Sequence, residues 1–258
     1  MKKMKFMLLA VFAAIVLCGC GDNSLEYVEK DAEWVIYGNS KQLFKSKLWD
    51  AVEENDQFEE IKDEFKEQTS LELDDIEGNV SFWGTFDSSK NPIPKLRGAV
   101  VVLDSRVAEK VFDQIKKHCE DKAVSSSYKK EFVEKTTVGN CSGIVLKKQR
   151  KNQQTNEWEK ATVVMTCVMT NSRTLQFFQE KEPNALWEDD DESQLADQID
   201  QKVIAAFAVK GDMVRAGLKF GAGIEDVPKI GDIVLQLKAS KKKLIIEGSV
   251  DISEIDED

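Results

Sequence analysis

Gly98-Ala99-Val100-Val101-Val102-Leu103 is apolar at every position. A strand with one face in water alternates apolar and polar residues, whereas a strand covered on both faces does not. This run therefore predicts the central strand of a sheet that is packed on both sides. The stretches around it supply neighbours. Glu33 to Tyr37 is a short strand rich in β-branched and aromatic residues. Asn79 to Phe86 alternates, with Val80, Phe82 and Phe86 on one face. Strands at about 131–138 and 142–149 meet at Gly139-Asn140, and a polar loop from Arg150 to Asn156 leads to a strand from about Trp158 to Met169. The last third reads as β: Val203 to Val209, a Gly211-Asp212 turn, Val214 to Phe220, Ile233 to Leu237 and Leu244 to Val250.

Helical spacing recurs between these strands. Ser40 is a good N-cap for a segment carrying Leu43, Phe44, Leu48 and Val52. Phe58, Ile61 and Phe65 repeat at the same spacing, Asn91-Pro92-Ile93-Pro94 forms a turn, and Ser105 caps a stripe of Val107, Val111, Phe112 and Ile115. Ser172 stands in the same way before Leu175, Phe177 and Phe178, and Leu195 and Ile199 suggest a last helix. The predicted class is α+β, a mostly antiparallel sheet with helices packed on it. Val35 to Leu43 and Val168 to Leu175 both read strand, Asn-Ser, basic residue, Leu. That similarity suggests two related halves, 32–150 and 151–258.

Composition narrows the function. The chain has 258 residues, 36 basic against 47 acidic, a formal charge of −11 and one histidine. The acid excess argues against nucleic acid as a partner, because phosphate binding needs clustered Lys and Arg. His118 lies near the end of the 106–120 helix beside its buried stripe, where a structural histidine complements the helix C-terminus. No GxSxG, GxGxxG, Walker A or HExxH pattern occurs, so no catalytic residue, metal site or cofactor is assigned. Glu188 to Glu192 lacks the geometry of a calcium loop and reads as a solvated helix start. Asp251 to Asp258 reads as a frayed end. Trp158 and Trp187 lie in polar surroundings, where an exposed aromatic marks a binding surface and a covered one anchors a hairpin or helix.

The first twenty residues are the most informative. Lys2, Lys3 and Lys5 precede an apolar run from Phe6 to Leu17, too short to cross a bilayer as a helix. Leu17-Cys18-Gly19-Cys20 follows. This resembles the lipobox of bacterial lipoproteins, and the pattern of the rest of the chain resembles their envelope domains without implying an activity. The resemblance implies a signal peptide over 1–19, cleavage between Gly19 and Cys20, and acyl chains on Cys20. It makes membrane lipid a partner through that residue. Gly21 after the cysteine favours the outer membrane, facing the periplasm, in an organism that has one.

Loss of residues 1–19 removes three lysines and no acid, leaving 239 residues at −14. Such a field repels anionic headgroups within a Debye length of about 10 Å. Residues 20–31 read as a lipidated tether whose flexible part spans about 18 Å, so the domain is expected to hang near the membrane. Three thiols remain, Cys119, Cys141 and Cys167. A hairpin centred near Gln154 sets Cys141 against Cys167, close enough for a disulfide or for two buried free thiols. The functional expectation is a non-enzymatic binding or structural module of the cell envelope with an envelope protein partner. A carboxylate-based envelope hydrolase and a solute-binding lipoprotein rank behind it.

Overall fold

The computed structural model describes residues 23–250 except 55, 73–75, 88–92, 104–105, 122–125, 189–192, 223, 225–226, 228 and 240–242. Ten strands form one sheet in which every adjacent pair is antiparallel. They are β1 (Trp34–Asn39), β2 (Gly78–Asp87), β3 (Ile93–Leu103), β4 (Lys129–Val138), β5 (Cys141–Arg150), β6 (Thr162–Met169), β7 (Thr174–Gln179), β8 (Ala205–Val209), β9 (Ile233–Ala239) and β10 (Leu244–Val250). Their order is β10-β9-β8-β1-β2-β3-β7-β6-β5-β4. The helices are short: α1 (Ser40–Phe44), α2 (Lys47–Glu53), α3 (Asp56–Thr69), α4 (Ala108–Asp121), α5 (Gln194–Asp197) and α6 (Gly211–Ala222).

The apolar run of β3 lies between β2 and β7, near the middle of the sheet. Val100 and Val102 face one core, with Val35, Tyr37, Trp83, Phe178 and Trp187. Leu103 and Val101 face the other, with Leu175, Cys167, Ile144 and the stripe of α4. A sheet buried on both sides in its centre explains why β3 does not alternate.

The expected class needs correction. Ten strands form one large antiparallel sheet and the helices beside it are small, so this is not a balanced α+β arrangement. Two segments fall in the other class from their reading. Leu175, Phe177 and Phe178 belong to β7, not to a helix after Ser172. Residues 214–220 lie in α6, not in a strand. Both segments carry apolar residues at i, i+2 and i+3 or i+4, a spacing that suits either period. For β7 the tertiary environment decides, since Leu175 and Phe178 are buried on opposite faces between β3 and β6.

The two expected halves, 32–150 and 151–258, contribute strands to the same sheet. The boundary at 150/151 falls between β5 and β6, which are neighbours in the ladder. Residues after it supply β6 and β7 to one part of the sheet and β8 to β10 to the other. The first of the two similar motifs runs from β1 into α1; the second passes from β6 through a turn into β7.

The tether is the third correction. Residues 24–27 form a 3-10 helix, and Ser24, Leu25, Tyr27 and Val28 are buried in the first core. Glu29 accepts from Trp83 Nε1 at 3.1 Å and pairs with Arg97 Nε at 3.2 Å. Arg97 also pairs with Asp31. The segment runs along β2, from Asn79 to Gly84, before the chain turns into β1. Flexible chain cannot bury side chains this way; from Asn23 on, it is part of the fold.

Candidate functional site

The end of the sheet where the chain enters is built from polar residues. β1 finishes there with Asn39, β2 starts with Gly78 and Asn79, and the segment before β8 passes beside them. Asn39 is the N-cap of α1, its Oδ1 accepting from Gln42 N at 3.1 Å, so the cap lies one residue before the expected Ser40. Ser40 Oγ accepts instead from Gly78 N at 3.3 Å. Asn39 Nδ2 donates to Gln201 O at 2.9 Å and to Tyr37 Oη at 3.2 Å. Ser24 N donates to Asn79 Oδ1, and the Ser24 and Ser81 hydroxyls lie 2.8 Å apart. These bonds offset the burial of the polar groups, and the two from Ser24 fix the N-terminal segment to β2.

A cavity of about 360 Å³ opens here, lined by Asn23, Tyr37, Asn39, Asn79 and Gln201 with Lys41 and Lys202 among its walls. Asn23 is only 6% exposed, and its Nδ2 has no acceptor among the described residues. Its Oδ1 accepts from Leu25 N at 3.1 Å. Beside the cavity Lys238 bridges Asp200 at 3.3 Å and Glu247 at 2.8 Å. The Asp200 carboxyl is held below its ordinary range, first by the Lys202 backbone N–H and then, against partial burial, by Lys238. The Lys238 ammonium is raised, chiefly by its bond to Glu247 and then by Asp200.

No family model matches this chain. No curated protein matches it either. Among solved structures, three crystal forms of TP0453 resemble it. Form III has 10% identity and a TM-score of 0.41, covering 92% of this chain and 83% of that one. Form IV has 12% identity and 0.42, over 91% and 83%. Form I has 10% identity and 0.43, over 93% and 82%. At that depth the likeness decides neither activity nor partner.

A second feature lies on the sheet face that carries the second core. α4 and residues of α1 and α3 cover that face over β2 to β7. Beyond β1 it carries exposed apolar side chains, although Trp34 and Val209 on the same face are buried. Ile36 stands opposite Phe207, Phe207 opposite Leu235, Leu237 opposite Ile246 and Ala239 opposite Leu244. Directly paired residues point to one side of a sheet. Ile36, Phe207, Leu235, Leu244, Ile246 and Val250 are all exposed on it, from 37% for Phe207 to 77% for Ile246. Periodicity alone did not single out this patch, because the same alternation marks a strand whose apolar face is covered.

The residues named from sequence fare differently. Gly19 and Cys20 lie outside the described residues, as do Asp189 to Glu192 and the acidic tail from Asp251. Cys119, Cys141 and Cys167 are free thiols in the structure, the second of the two alternatives open for Cys141 and Cys167. Cys167 stands opposite Ile144, and the Cys141 thiol donates to Thr170 O at 3.5 Å. The register is offset by three residues from a hairpin centred on Gln154, since the 151–161 connection is asymmetric. Burial pushes the Cys167 thiol far up, with Cys119 adding to it.

Trp187 is not a binding surface. It stacks on Phe178 with centroids 3.8 Å apart and meets Trp83 edge-on at 4.7 Å. Trp158 is half-buried on its hairpin with Lys130 Nζ 4.2 Å from the ring centre. His118 is half-buried in the last turn of α4. Among the described residues no cluster of His, Cys, Asp and Glu is placed to hold a metal ion. No helix among them is long and apolar enough to cross a membrane.

Proposed function

We propose that this chain is a lipoprotein held to a bacterial membrane through acylated Cys20, and that its folded domain is a binding module of the cell envelope. The anchor rests on Lys2, Lys3 and Lys5, the apolar run after them and Leu17-Cys18-Gly19-Cys20. The observation that carries the binding role is the set of exposed apolar side chains on one face of β1, β8, β9 and β10. A contiguous apolar patch on an otherwise charged chain marks an interaction surface. Its occupant on this reading is a protein of the same membrane, presenting a complementary apolar surface. In an organism with two membranes the domain faces the periplasm from the outer one.

Crosslinking in intact cells, followed by recovery of the lipidated protein, tests this reading. A specific envelope protein should be recovered with the native chain and lost with Phe207→Asp and Leu235→Asp, both variants remaining folded by circular dichroism. Equal recovery with and without these substitutions, or turnover of a glycan or peptide by the purified protein, would reject the binding role.

A further inference from the structure

The two edges of the sheet are built differently. β4, at one edge, carries Lys129, Lys130, Glu131, Glu134 and Lys135. Charges of this kind keep an exposed edge from pairing with other chains. β10, at the other edge, carries a single charge in seven residues, Glu247. It has no proline, its ladder with β9 runs without a register shift, and no described strand lies beyond it. Leu244, Ile246 and Val250 are exposed on the apolar face, which runs up to this edge. Such an edge presents unpaired N–H and C=O groups as a template for another strand.

The sequence of the strand itself selects its occupant. Antiparallel pairing of β10 with a second copy, centred on Ile245, sets Lys243 opposite Glu247 on each side of the two-fold axis. Leu244 then faces Ile246 on each side, and Ile245 faces its own counterpart. Opposite charges and apolar pairs directly across a ladder are the stabilising ones. The registers one and two residues on lose this match. Centring on Ile246 sets Glu247 against Ile245, and centring on Glu247 opposes two carboxylates. Lys243, Ile245 and Glu247 share one side of the strand with Lys238, which bonds Glu247 at 2.8 Å. The second copy's Lys243 would meet that carboxylate from the edge. On the other side, Leu244 and Ile246 of both copies would join Leu235 and Leu237 of each into one apolar surface. A two-fold contact uses the same patch on both copies, so such pairing closes as a dimer and does not extend into a fibre.

We infer that β10 is a dimer interface, at which two copies of this chain pair edge to edge, antiparallel about Ile245. The inference goes beyond the binding role, since it names a partner for the edge of the sheet and leaves the apolar face for another. It is also independent of the anchor on Cys20.

Disulfide crosslinking of the full chain in intact cells tests it. Ile245→Cys should give a covalent dimer under mild oxidation, because residues directly opposite in a ladder lie within disulfide range. Leu244→Cys on one tagged copy and Ile246→Cys on another should crosslink in the same way, so the result does not hang on one variant. Ser249→Cys should give no more dimer than the native chain, since this register places it away from its counterpart. On the Ile245→Cys background, Glu247→Lys or Lys243→Glu alone should sharply reduce the dimer, and the two variants expressed together should restore it. Circular dichroism of each purified variant checks that it is folded. Crosslinking at Ser249→Cys equal to that at Ile245→Cys, failure of both cysteine tests in folded variants, or a yield untouched by the charge variants would overturn the dimer. Capture of a different envelope protein that depends on Phe207 and Leu235, without these crosslinks, would defeat the dimer alone and keep the binding role.

Discussion

Gly98 is fixed by a neighbour, not by its own backbone. A Cβ there would lie 2.0 Å from the ring of Trp187, which stacks on Phe178 directly across from it. Gly98→Ala should therefore destabilise the protein by about 1–3 kcal/mol, an overpacking cost read from urea denaturation; an unchanged midpoint would mean that Trp187 moves freely. The thiols differ in the same legible way. Cys141 is half-buried, whereas Cys167 is fully buried with its thiolate strongly disfavoured. Alkylation of the native protein at neutral pH should label Cys141 well before Cys167, and denaturation without reductant should expose all three thiols. A protein with one titratable thiol would restore the disulfide.

Elements were legible where one period ruled. The strands of β4 and β5 meet at Gly139-Asn140 as read, with Gly139 at φ 58°, and α3 and α4 lie where their stripes put them. β7 and α6 were not, because their apolar spacing fits both periods and only the strands on either side of β7 decide it. The buried N-terminal segment escaped notice for a different reason. Its few apolar residues, Leu25, Tyr27 and Val28, have no period at all, and their burial depends on β2, fifty residues away. The end of α3 gives an element-scale prediction. Ser70 has φ 56° and donates its N–H to Lys66 O at 2.8 Å, a left-handed C-terminal position that suits glycine. Ser70→Gly should leave the structure unchanged and raise stability by about 0.5–1 kcal/mol, seen as a higher melting temperature.

At the scale of the molecule, one sheet carries two cores in its middle and exposed apolar side chains toward β10, and the chain enters at the end where β1 finishes and β2 begins. The N-terminal segment belongs to that whole. Burying Leu25, Tyr27 and Val28 stabilises by about 1.5–3 kcal/mol for each fully buried side chain, which rivals the 5–15 kcal/mol typical of a complete domain. A chain starting at Ala32 should therefore unfold at much lower urea than one starting at Gly21; equal midpoints would return residues 23–31 to a tether. The site itself was half legible. The motif proposed as a lipobox is a local run of four residues, Leu17-Cys18-Gly19-Cys20, while the cavity and the exposed apolar face are assembled from separate strands and exist only once register is known. The central claim remains that Cys20 carries the membrane anchor of this fold. Mass spectrometry of the protein taken from its native membrane fraction tests that claim most directly. The account predicts a mature chain beginning at Cys20 with diacylglyceryl and N-acyl mass on its first residue; an unacylated chain, or one beginning elsewhere, would contradict it.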